Sequence, residues 1–270
     1  MAEIDTGTEQ LICRIEDGVA VLTLNRPEAR NALSMDIRRG LIRMIPECGA
    51  NPDVGAVILT GAGGAFCAGG DVKGMGDRRP KPASFEDDVK DLQQRQRGIT
   101  GAIAALEKPT IAVLPGPAAG AGLALALSCD IRFAADTAFV ATGYVKVGLS
   151  GDYGIAWLLT QTVGTARARE LLFTGERVDA ERCERLGLVN RVYPADQVMQ
   201  EAMAFARELA AGPRVAMGFI KRNLNRALGE DYLSALDHEA ELLTEARQTP
   251  DHKEAVQAFV EKRKPVFGQG

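Results

Sequence analysis

Two short runs of this 270-residue chain, AVILT (56–60) and TIAVL (110–114), offer almost nothing to water on either face of an extended segment. Side chains of a strand alternate between faces, so a run without alternation belongs inside a sheet covered on both sides. Around these runs the pattern switches between β-rich stretches, LICRIE (11–16) and VAVLTLN (19–25), and helical spacing in SMDIRRGLIRMIPECG (34–49) and from Glu86 to about Leu106. This βαβ rhythm predicts an α/β fold with ligand-binding loops at the C-terminal ends of the strands. Three glycine-rich loops stand at such places: GAGGAFCAGGD (61–71), GPAAGAG (116–122) and VGLSGDYG (147–154). From about Ala195 onward the pattern is helical only, which predicts a main domain over 1–195 and a helical subdomain over 196–270. The segment GDRRPKPASFEDD (76–88) reads as a mobile loop, with RRPKP as a solvated stretch within reach of phosphate groups.

Charge and composition remove several classes of function. A net charge of −4 and a pI near 5.4 leave no basic footprint for nucleic acid. Five cysteines, odd in number and without a CxxC pair, argue against a disulfide framework or a zinc site and fit a reducing compartment. With no basic, apolar start and no run of ~18 apolar residues, the expectation is a cytoplasmic protein without a membrane span. The two histidines, His238 and His252, both fall on amphipathic C-terminal helices, so neither a Ser-His-Asp triad nor a histidine metal site is expected. GLSGD fails the GxSxG pattern because Asp152 stands at its fifth position, and GAGGAF fails the dinucleotide fingerprint at Phe66.

What remains is backbone. Small residues lead into helix starts in FCAGGDVKGM and AAGAGLALAL, where up to about four N–H groups lack an internal partner. Two such starts facing one point would hold an oxyanion; the competing reading of each loop is tight helix–strand packing. Between Pro109 and Arg169 the carboxylates are Asp130, Asp136 and Asp152. The first two sit at turn or strand-end positions, whereas Asp152 lies in the third loop, either as a helix N-cap or as a working acid.

Taken together, VAVLTLNRPEARNALS, AFCAGGDVKGM, KPTIAVLPGPAAGAGLALALSCDIRFAADTAF, VGLSGDYG, ARELLFTGERVDAERCERLGLVNRV and AFVEKRKPVF resemble the crotonase superfamily, the enoyl-CoA hydratase and isomerase family. The resemblance covers nearly the whole chain. It implies a spiral of ββα units with a C-terminal helical trimerisation region, a homotrimer or dimer of trimers, and an acyl-CoA thioester substrate. No separate cofactor is implied, since coenzyme A is part of the substrate. By motif position the thioester oxygen would lie between the N–H groups of Ala68 and Ala121. Glu28, Ala29, Arg30 and Ala32 match the segment that bends over CoA. Ala68, Gly69, Gly70, Asp71 and Val72 match the adenine and thioester side, Gly120 adjoins the second donor, and Phe259 and Lys262 match residues offered to a neighbouring subunit's CoA.

Two positions depart from the hydratase pattern. Where hydratases carry their glutamate pair, this chain has Ala124 and Tyr144, so water cannot be held between two carboxylates. Asp152 falls where isomerase-type members and aryl-CoA dehalogenases carry their working aspartate. The expectation is a double-bond shift in an enoyl-CoA by Asp152 proton transfer, with Tyr144 orienting substrate or closing the pocket. Alternatives are hydration with water placed by Asp152 alone, nucleophilic attack by Asp152 on an aryl or acyl group, and a non-catalytic acyl-CoA-binding assembly protein. Apolar stripes at Leu233, Leu236, Leu243 and at Val256, Phe259, Val260 read as core or subunit interface.

Overall fold

A computed structural model describes residues 2–71 and 84–268. The chain opens with three antiparallel strands, β1 (Ala2–Ile4), β2 (Leu11–Glu16) and β3 (Val19–Leu24). Helix α1 (Met35–Ala50) follows, capped by the Ser34 hydroxyl, which accepts the Ile37 N–H at 3.1 Å. Its inner face carries Ile37, Leu41, Met44, Ile45 and Cys48, at the spacing that lines one side of a helix.

The two unalternating runs become β4 (Ala56–Gly61) and β5 (Thr110–Leu114), buried at every residue and parallel to each other. Between them lie α2 (Phe85–Gln96) and α3 (Ala102–Ala105), joined by one wide helical turn, close to the helix expected from Glu86 to Leu106. After β5 come β6 (Ala118–Ala119), α4 (Ala121–Leu127), β7 (Ile131–Ala135) and β8 (Phe139–Ala141). Helix α5 (Ile155–Thr174), β9 (Arg177–Asp179), α6 (Ala180–Leu186) and β10 (Arg191–Tyr193) complete the strand-bearing part. The main sheet has the order β1-β2-β3-β4-β5-β7-β10, parallel from β3 onward, and a smaller sheet has the order β6-β8-β9. This is the α/β, crotonase-like architecture expected from the sequence.

Four helices follow: α7 (Val198–Ala210), α8 (Arg214–Ala227), α9 (Tyr232–Ala246) and α10 (Pro250–Glu261). The sequence groups α7 with the outer helices, but its buried face, Val198, Ala202, Ala206 and Ala210, belongs to the main core and packs on β3, β4, β5 and β7. Helix α8 is tied back by Lys221, whose Nζ lies 2.7 Å from Asp130 Oδ2; the same oxygen accepts the amide and hydroxyl of Thr110, both at 2.8 Å. By contrast α9 and α10 leave Leu233, Leu243, Val256, Phe259 and Val260 largely exposed. Among the described residues no helix is long and apolar enough to cross a membrane.

Candidate active site

The first glycine loop leaves β4 at Gly61 and is shaped by Asn31, which is fully buried. Its amide donates to the carbonyls of Ala62 (2.9 Å) and Ala65 (2.8 Å), and its carbonyl accepts the Arg26 N–H (2.9 Å). One side chain thereby fastens RPEARNAL to the loop. Two backbone bonds continue the seam: Ala68 N–H to Arg30 O at 2.9 Å and Leu33 N–H to Gly69 O at 2.8 Å. The first of these corrects the sequence expectation. An N–H already donating to a carbonyl is not available to a thioester oxygen, so Ala68 is not an oxyanion donor. Two residues on, the N–H of Gly70 has no acceptor among the described residues, on a half-buried loop that turns left-handed at Gly69 (φ 92°).

The second loop lies directly against the first. Ala119 N–H donates to Cys67 O (2.9 Å) and Gly120 N–H to Ala141 O (3.0 Å). The next N–H, that of Ala121, begins α4 and has no acceptor among the described residues. A Cβ built on Gly69 would stand 2.7 Å from Ala119 O and 3.3 Å from Ala121 N, so the stretches carrying the two unpaired N–H groups are in contact. A Cβ on Gly122 would collide with the Cys67 carbonyl and come within 2.7 Å of its Cβ. Both readings of GPAAGAG therefore apply at different residues: close packing fixes Gly122, and an unpaired donor sits at Ala121.

The third loop brings an acid and a phenol together. Tyr144 is buried, and its hydroxyl donates to Asp152 Oδ1 at 2.7 Å. The N-cap of α5 is Gly154 and no side chain caps that helix, so the capping reading of Asp152 does not hold. Burial raises the Asp152 pKa, opposed by the Tyr144 hydrogen bond and by the charges of Arg38 and Arg95. Burial and the neighbouring Asp152 carboxylate push Tyr144 far above the ordinary phenol value, so the proton stays on tyrosine and Tyr144 is the donor. A Cβ on Gly120 would lie 3.9 Å from Tyr144 Cζ, which joins the acid–phenol pair to the second loop. Ala124 is fully buried in α4 and presents a methyl group.

The remaining expected residues are distributed as follows. Glu28 is exposed, Ala29 and Arg30 flank a short turn, and Ala32 is buried beneath it. Asp71 is bound by Arg26 (2.6 Å), a tie between the two segments rather than a free acid. Val72 lies outside the described residues, as does RRPKP with most of the expected mobile loop. Phe259 and Lys262 are exposed at the outer end of α10. His238 of α9 is bonded to Glu230 in the turn before that helix, and among the described residues no cluster of metal-ligating side chains occurs. Sequence reasoning passed over Arg38 and Tyr153. Arg38 follows the core residue Ile37 and reads as an ordinary exposed position of an amphipathic helix, yet its charge bears on Asp152, Tyr153 and Cys67.

The loops of this parallel sheet gather two N–H groups without an acceptor among the described residues and one half-buried carboxylate, Asp152. The chain belongs to the enoyl-CoA hydratase/isomerase family, whose model matches residues 14–270. Among its relatives is a Mycobacterium bovis protein described as a probable enoyl-CoA hydratase, 37% identical over 259 residues, covering 96% of this chain and 98% of the relative. The 1,2-epoxyphenylacetyl-CoA isomerase of Escherichia coli is 34% identical, covering 96% and 98%. A crystal structure of an enoyl-CoA hydratase from a Polaromonas species superposes with a TM-score of 0.89 at 34% identity, covering 96% of this chain and 99% of that one.

Proposed function

We propose that this chain shifts a double bond in an acyl-CoA thioester, with Asp152 as the single proton carrier and the N–H groups of Gly70 and Ala121 as the oxyanion donors. In a 3-enoyl-CoA the C2 hydrogens lie between a thioester and a double bond. Asp152 takes one of them on the carboxylate oxygen that Tyr144 does not hold. Charge moves to the thioester oxygen, where the two N–H groups meet it; a single such donor is worth ~3 to 4 kcal/mol in the transition state. Asp152 then returns the proton at C4, giving the 2-enoyl ester. Only groups of the chain take part.

The observation that carries this reading is the Tyr144–Asp152 hydrogen bond, 2.7 Å long, made by a phenol at one of the two positions where a hydratase carries a glutamate. Asp152 has no capping duty, and its elevated pKa matches a group that must both accept and return a proton. A second reading, hydration with water placed by Asp152, is favoured by the hydratase names of several relatives. Incubation with 3-enoyl-CoA and 2-enoyl-CoA in deuterated water separates the two. The first reading gives a conjugated product from the 3-enoyl ester and no 3-hydroxyacyl-CoA from the 2-enoyl ester; abundant 3-hydroxyacyl-CoA would reverse the assignment. Asp152→Asn abolishes the shift while binding of a saturated acyl-CoA persists. The exposed apolar residues of α9 and α10 suit a homotrimer or dimer of trimers, which light scattering measures directly.

A further inference from the structure

Beside Asp152 stands a group of donors that the double-bond shift leaves without work. Tyr153 is almost wholly buried (2% exposed), yet its hydroxyl has no hydrogen-bond partner among the described residues. Nor has Arg38 Nε, which is equally sealed from solvent. A buried polar atom without a partner typically costs ~1 to 3 kcal/mol, so two in one place call for an acceptor. The two groups are neighbours: Arg38 bears on the Tyr153 oxygen and on Asp152 without closing a well-formed bond to either. The backbone is left-handed at Tyr153 (φ 52°), an uncommon conformation for a bulky residue and a sign that neighbouring packing fixes its place.

The charges point the same way. Arg38 and Arg95 both act on Asp152, and neither has a carboxylate within ion-pair distance among the described residues. Arg38 Nη1 reaches Met35 Sγ at 3.8 Å and Arg95 Nε donates to the carbonyl of Asp91 at 3.1 Å, so neither of these partners is an anion. The cluster thus holds two guanidinium charges and, besides the Tyr144 hydroxyl that already donates to Asp152, a second phenol around one carboxylate. An apolar acyl tail would leave these donors unsatisfied, whereas an anionic oxygen would complete them.

We propose that Arg38 and Tyr153 form a specificity subsite that selects acyl-CoA thioesters whose acyl group carries a carboxylate away from the thioester. This rests on the reading of Asp152 as the reacting acid only in placing the acyl group beside it. The test compares two saturated, unreactive thioesters of equal chain length, one ending in a methyl group and one in a carboxylate, by calorimetric binding to the intact protein. The carboxylate ester binds at least ten-fold more tightly, and in Arg38→Met the two affinities come together. Tyr153→Phe narrows the difference less than Arg38→Met, because it removes a donor but no charge. Equal affinities in the unaltered protein, or a preference that survives Arg38→Met, would overturn the proposal, as would failure to bind either ester. Because no reaction is read, loss of the isomerase assignment leaves a measured carboxylate preference standing. Isomerisation of methyl-ended and carboxylate-ended 3-enoyl esters at equal kcat/KM sinks the subsite alone.

Discussion

Replacing Tyr144 by Phe removes one oxygen and tests how the site sets the acidity of its carboxylate. In the intact protein that oxygen donates to Asp152 Oδ1 at 2.7 Å from a side chain only 7% exposed. A hydrogen bond to a charged acceptor contributes about 1.5 to 3 kcal/mol. It favours the ionised carboxylate, so its loss raises the Asp152 pKa, adding to the rise that burial already causes. At 1.36 kcal/mol per ten-fold, a bond of that strength is worth about ten- to a hundred-fold in the ionisation equilibrium of Asp152. Asp152 must be ionised to take the first proton, so activity climbs with pH through this pKa. The acid limb of kcat/KM against pH, measured on a 3-enoyl-CoA, therefore moves to higher pH in Tyr144→Phe, and much of the rate returns above it. A purely structural role for Tyr144 would lower kcat/KM at every pH without moving the limb. An unmoved limb, or one displaced to lower pH, refutes the assignment of Tyr144 as the donor that tunes Asp152.

Three further outcomes follow from the same geometry. Gly122→Ala puts a methyl group against the Cys67 carbonyl and within 2.7 Å of Cys67 Cβ, so α4 must move off the first loop and carry Ala121 N–H with it. With one donor displaced, kcat falls by about 100-fold or more while the circular dichroism spectrum stays near that of the parent. Asn31→Ala strips partners from two loop carbonyls and one amide, costing about 3 kcal/mol of stability in urea titration and loosening the loop that carries Gly70. Asp152→Asn works in the opposite direction on stability. A carboxylate whose folded pKa exceeds its unfolded value destabilises the fold once ionised, so that penalty is absent below about pH 4 and complete above the folded pKa. The variant accordingly melts at higher temperature than the parent near neutral pH, and the gap closes in acid; a gap independent of pH would contradict the raised pKa.

Some of this was legible in the chain because local physics and tertiary demand agree. The runs 56–60 and 110–114 could not alternate, so they had to be interior strands, and the helical spacing over 34–49 returned as α1. Helix α7 misled because amphipathic periodicity shows that a face is buried without saying against what. The donor at the first loop was misplaced for a related reason. AGGD offers several similar backbone N–H groups, and which of them is free depends on a carbonyl 38 residues earlier, that of Arg30, taking the Ala68 hydrogen. Arg38 was missed because its helical position reads as surface, while its charge reaches Asp152 and Tyr153 of the third loop, remote in sequence.

The departures from the hydratase pattern look independent along the chain but are coupled in the site. Two carboxylates facing one point must share a proton or hold a polar molecule between them, because both cannot be ionised cheaply at short range. Here one of those positions is a buried methyl, Ala124, and the other a phenol that keeps its proton. Tyr144 gives Asp152 a donor where a second acid would have given it a competitor, so the aspartate can ionise although burial opposes it. It occupies one oxygen and leaves the other to carry a proton. On the proposed reading such a site has one titrating group beside the substrate, Asp152, with no carboxylate at position 124 or 144 to pair with it. The group proposed to remove the proton is then also the one that returns it, and return to a different carbon of the same enolate is the proposed double-bond shift.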